Sequence, residues 1–260
     1  MSTIINQRRM AALFRLHEAS GRKGLLLATG GFLGFVLIVS FFVTIQSPEV
    51  LENLHSTFFL IFLYGGLVGM AGTAFHMMNS RTKSISYLSL PASVAEKFLV
   101  PWLMTGIGWI LFSIIVYTLF ALLVNSLWSL VLNVDFVFYS PLARYPFFNH
   151  WLEPYMMVFF SHSIFFLGSA AFRNYAIPKT LLAGFIVYAS LIFIAAITML
   201  LLYHGLSPTP GEENELTSGD PERLTQFYNT SKKIYQYSFM YILPVIFYLA
   251  AFFKIKEREA

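Results

Sequence analysis

The sequence contains no cysteine, which excludes disulfides and thiolate-bound metals in any compartment. Charge is scarce: 12% of its 260 residues are Asp, Glu, Lys or Arg, against 57% hydrophobic residues, a balance foreign to ordinary soluble domains. The nucleotide-cradling pattern GxxxxGK[ST] is missing, so energy from ATP would have to come from another polypeptide. The zinc-protease pattern HExxH and the nucleophile elbow GxSxG are missing too. Ser161-His162-Ser163 offers no dyad, because adjacent helical residues point in different directions. No catalytic constellation emerges, and no cofactor or metal is expected.

What is present is a set of six apolar runs, at 24–46, 57–78, 99–124, 155–172, 180–203 and 236–253. A span needs about 20 largely apolar residues to cross about 30 Å of hydrocarbon, and most of the runs reach that length. The fourth is the shortest and carries Ser161, His162, Ser163 and Ser169. All but four of the seventeen Lys and Arg residues fall in alternate gaps between runs. The exceptions are Arg144, Arg223, Lys232 and Lys233. Lys and Arg are retained on the cytoplasmic side, so this alternation predicts both termini inside. The first run is too long for a signal-peptide core and no small-residue cleavage pattern follows it, so it is expected to remain as an anchor. The net charge of +4 lies in short cytoplasmic gaps beside anionic headgroups, which accounts for it without nucleic acid. The expected fold is all-α: one polytopic domain over 1–260 with six transmembrane helices and cytoplasmic N- and C-termini.

Residues 1–23 read as an amphipathic interfacial helix ahead of the first span. Met10, Leu13, Phe14 and His17 recur at i, i+3, i+4 and i+7, and Arg8, Arg15 and Arg22 lie elsewhere around it. Between the second and third runs, 79–97 forms an inside loop. Pro91 disfavours helix at Leu90, and Ser93-x-x-Glu96 is a capping-box pattern that starts the next helix at Val94. From Phe98 to Val134 there is no charge. A break near Asn125-Ser126 is expected there, followed by an interfacial segment rich in aromatic residues, among them Trp128, Phe138, Tyr139 and Trp151. Pro178 suits the first turn of the fifth helix. The outer stretch 205–235 is the one clearly water-soluble segment, and it holds the glycosylation-like tripeptide Asn229-Thr-Ser231.

No Asp, Glu, Lys or Arg falls clearly within a span, which argues against an ion-coupled carrier. His76 and His162 have two readings. One is a proton relay or metal pair; the other is a neutral imidazole hydrogen-bonded across a helix interface. Gly30 and Gly34, Gly65, Gly69 and Gly72, and Gly106 and Gly108 permit close helix contacts, within one chain or between copies. Pro244 is expected to bend the sixth span.

The segment from Tyr87 to Leu103, YLSLPASVAEKFLVPWL, resembles permease subunits of ATP-binding-cassette exporters with the type 2 fold. Its LPAS-x-x-EK pattern after a Phe-His-Met-Met stretch is similar to that of membrane subunits from the Bacteroidetes, over about 70–125. The resemblance implies a dimer of such subunits, bound to separate cytosolic P-loop ATPase chains, with the loop between spans two and three carrying a coupling helix. Carried onto this chain, the partner-binding residues are Arg81, Lys83, Ile85, Tyr87, Leu88, Leu90, Glu96 and Lys97. Ile85, Tyr87, Leu88 and Leu90 form an apolar group that something should cover. The alternative is a non-transporting membrane scaffold or sensor that binds a partner through 205–235. A third reading is an intramembrane enzyme using His76 and His162.

Overall fold

Every regular element is helical in the computed structural model, which describes residues 5–136, 138–141, 153–205 and 241–259, without the side chains of 81–82, 153–155, 195, 199 and 201–205. The expected outer segment 205–235, the sequon within it and Trp151 therefore lie outside the described residues, apart from the backbone of Gly205.

Helix α1 runs unbroken over Gln7–Gln46, 40 residues, or about 60 Å at about 1.5 Å per residue. The Asn6 side chain caps it by accepting from Arg8 N. The expected division into an interfacial helix and a separate span near residue 23 is absent. No proline interrupts 7–46, and a continuous helix keeps every backbone group bonded. Nor does the amphipathic stripe simply face headgroups: Leu13 and His17 are buried and Met10 packs on the same cluster, which leaves Phe14 exposed.

A single 3-10 turn, Pro48–Val50, reverses the chain into α2, Leu51–Gly72. After a second 3-10 turn at His76–Met78 comes a short helix, α3, Arg81–Leu88, with Ser80 as N-cap. It ends ahead of Pro91, as the sequence requires. Helix α4, Val94–Leu103, opens with the complete Ser93–Glu96 capping box. A π-helical turn at Met104–Gly108 joins it to α5, Trp109–Leu132.

The break expected near Asn125-Ser126 does not occur. Asn125 spends its amide oxygen on His55 of α2 (2.9 Å), and Ser126 donates back to the Leu122 carbonyl (2.8 Å). With both polar side chains satisfied inside the helix, α5 continues until Asn133 takes up the left-handed conformation, at φ 54°. Trp128, expected beyond the break, lies within α5, where its Nε1 donates to Ser40 Oγ of α1 (3.0 Å).

Helices α6, Glu153–Ala171, α7, Ala176–Gly205, and α8, Leu243–Glu259, complete the description. Helix α6 packs on α2, α7 and α8, and α2 packs on α5. Helix α7 touches the bundle through its first turns, where Ile177 meets Gly72 and Thr180 meets Gly168 closely enough that neither glycine has room for a Cβ. Beyond Thr180 its described side chains are exposed on every face, and they are almost entirely apolar. A helix apolar all round is stable in lipid or under protein, not in water.

Among the described residues, four helical stretches are long and apolar enough to cross a membrane: Gln7–Gln46, Pro48–Met78, Val94–Leu132 and Ala176–Thr198. Met156–Ala171 is a shorter apolar helix. Length and composition together make this a membrane protein.

Candidate functional site: the corner between α2 and α4

Glu96 and Lys97 are adjacent, both charged, and both buried, at 0% and 2% exposure. Buried charges persist when paired and hydrogen-bonded, and these two are, in different directions. Glu96 Oε1 accepts from the backbone N–H of Asn6 (2.6 Å) and from Arg9 Nε (3.2 Å). Its other oxygen accepts from Ser93 N (2.8 Å). Lys97 Nζ donates to the Leu88 carbonyl at the end of α3 (2.7 Å) and to Glu259 Oε1 in the last turn of α8 (2.9 Å). Both ends of the described chain thus meet at the start of α4, and α3 is fastened to the same point.

Tyr87 adds a third tie. Its hydroxyl donates to the Lys97 carbonyl (3.3 Å), and its ring meets His17 of α1 edge-on at 5.8 Å. Burial, helped by the nearby Glu259 carboxylate, pushes the phenol above its ordinary range and keeps it a donor. Arg258 extends the clamp to α6 by donating to the Ala171 carbonyl (3.2 Å).

The expected partner-binding set therefore divides. Tyr87, Glu96 and Lys97 are turned into the chain's own core and leave nothing for a partner to hold. Leu88 and Leu90 are half-buried against the cluster of Phe75, Met78 and Val100. Lys83 is exposed, and Ile85 is 62% exposed. The Arg81 side chain lies outside the described residues. So the chain itself covers most of the apolar group Ile85, Tyr87, Leu88 and Leu90, and Ile85 is left standing on the surface with Lys83.

Of the two readings of His76 and His162, the relay or metal pair does not form, and His162 is the imidazole hydrogen-bonded across a helix interface. His162 Nε2 meets Thr105 Oγ1 (2.9 Å), and its Nδ1 meets Tyr248 Oη (2.8 Å). Thr105 in turn gives its proton to the Pro101 carbonyl (2.8 Å). The polar chain from Tyr248 through His162 and Thr105 to that carbonyl is closed, the geometry of an anchor between helices. His76 lies instead beside His17, ring centres 6.4 Å apart, and its Nδ1 donates to the Thr73 carbonyl (3.0 Å). Among the described residues no group of three or more His, Asp or Glu could hold a metal ion.

Sequence reasoning placed His17 only on an amphipathic stripe, and it missed His55, Asn6, Arg9 and Glu259. Their partners lie at the far ends of the chain or on another helix, and nothing local in the sequence announces such pairings. No protein-family model, curated protein or solved structure matches this chain.

Proposed function

We propose that this chain is the permease subunit of an ATP-driven exporter of the type 2 kind, with six spans and both termini in the cytosol of a bacterial cell. Two copies would work with a separate P-loop ATPase that supplies the energy. One observation carries the reading: α3 offers Lys83 and Ile85 outward while its own end is tied through Lys97 to α4 and α8, and α4 is tied through Glu96 to α1. A push on α3 is therefore delivered to α1, α4 and α8 at once, as a coupling element requires. The basic gaps support placing this corner in the cytosol, and the apolar, uncovered α7 suits a chain that works beside a second copy.

Purification in mild detergent tests it. A P-loop ATPase is expected to co-elute with the natural chain and to be lost with Ile85→Asp, which adds a charge at an exposed position without opening the core. If no such ATPase co-elutes, or if Ile85→Asp and Lys83→Glu together leave its recovery and the export activity unchanged, the reading fails.

A further inference from the structure

Positive charge converges on the turn between α6 and α7, where three consecutive residues, Ala171, Phe172 and Arg173, gather three cations. Arg258 of α8 donates through Nη2 to the Ala171 carbonyl (3.2 Å). Lys179 of α7 sets its Nζ over the Phe172 ring, 6.0 Å from the centroid. Arg173 is the next residue along, exposed just beyond the end of α6. Burial first, and then the charge of Arg173, hold the Arg258 guanidinium below its ordinary range, with Glu257 offsetting part of the effect. The two guanidiniums are near enough to repel.

No carboxylate answers Arg173 or Lys179. The ion pairs among the described residues are Arg9–Glu96, Lys97–Glu259 and Lys254–Glu257, so both acidic side chains at the end of α8 are engaged elsewhere. Cations at an inside turn are expected from topology alone. Topology asks only that they lie on one side, not that they crowd three residues against their mutual repulsion. A phosphate placed among them would turn that repulsion into charge-assisted hydrogen bonds.

The surroundings select the kind of phosphate. Lys179, Leu182, Ala183 and Ile186 share one face of α7 at i, i+3, i+4 and i+7, and all four are exposed. No Asp, Glu, Lys or Arg follows Lys179 in this helix. Tyr175 takes the left-handed conformation at φ 55°, unfavourable for a residue with a Cβ, and its ring stands 78% exposed at the same turn. Amphipathic rings of this kind settle at headgroup level. A free phosphate would use the cations and leave the apolar face bare, whereas a phospholipid uses both. We propose that Arg173, Lys179 and Arg258 hold the headgroup of one anionic phospholipid, with its acyl chains along the Leu182–Ile186 face of α7. The site lies within one chain and does not depend on the transport reading.

Native mass spectrometry of the detergent-purified chain tests it by comparing phosphatidylglycerol with phosphatidylcholine of the same acyl chains. Phosphatidylglycerol is expected to bind more tightly. Arg173→Gln with Lys179→Gln should weaken it about thirtyfold, the effect of two cations at a lipid surface, and leave phosphatidylcholine unchanged. Both side chains are exposed, so the substitutions open no core. Arg8→Gln with Arg22→Gln removes the same charge from exposed positions on α1 and should leave the preference intact. Equal binding of the two lipids, no bound lipid, or equal losses in the two variants would overturn the proposal, the last by showing diffuse attraction to basic surface. So would displacement of the lipid by millimolar inorganic phosphate, which would make the corner a plain anion site. Finally, if Arg173→Gln with Lys179→Gln kept the lipid preference but lost a co-purifying ATPase, the corner would be a protein contact and the proposal would fall.

Discussion

Pro101 has no N–H to give to the carbonyl of Lys97, one turn back in α4, and its ring crowds that carbonyl. Tyr87 supplies the missing donor from α3. This makes Tyr87 a repair of a proline defect, and the assignment can be tested by removing the defect. Tyr87→Phe is expected to cost about 1–3 kcal/mol, the penalty of a buried carbonyl left unmade. In a Pro101→Ala background residue 101 regains its N–H, and Tyr87→Phe should then cost little. Thermal unfolding of the four proteins in detergent gives the coupling. Equal losses in both backgrounds would show that the hydroxyl matters for another reason. The π-helical turn that follows, Met104–Gly108, presents Thr105 to His162.

Among elements, α1 departs most from the reading of the sequence. Its apolar stripe is real, but a stripe states only that one face is covered, not whether lipid or protein covers it. Here the cluster of Phe75, Tyr87 and Val100 covers Leu13, and the rings of Tyr87 and His76 meet His17. If α1 is one rod, Lys23→Pro falls in mid-helix, breaks a backbone bond and costs about 3 kcal/mol or more. If residue 23 were a joint between two helices, the same change would be nearly neutral. Urea or thermal unfolding separates these outcomes. The start of α4 was legible because Ser93, Glu96 and Pro91 act locally, within one turn. The end of α5 was not, because the fate of Asn125 is decided by His55, seventy positions away. The candidate site follows the same division. The sequence marks where the corner lies, while the inward turn of Tyr87, Glu96 and Lys97 depends on Asn6, Arg9 and Glu259, which only folding brings near.

For the whole molecule, the question is which side of the bilayer the α3 corner faces, and the chain's own chemistry makes it answerable. Asn6 on Glu96 and Glu259 on Lys97 place both described ends at one pole of the bundle, so they share a side whatever that side is. The α1–α2 turn at Pro48–Val50 lies at the other end of α1, about 60 Å of helix away, and carries acidic Glu49 with no Lys or Arg. Positive charge retained inside therefore predicts the corner in the cytosol and the turn outside. With no natural cysteine, single thiols can be introduced without background. In intact cells Glu49→Cys should react with a membrane-impermeant maleimide, whereas Lys83→Cys and Glu257→Cys react with a permeant reagent alone. Lys83 and Glu257 are exposed in the chain itself, and their reaction with the permeant reagent shows that no docked ATPase hides them, so protection from the impermeant one comes from the membrane. Labelling of Lys83→Cys from outside, with Glu49→Cys protected, would invert the molecule and put α3 beyond reach of any cytosolic ATPase.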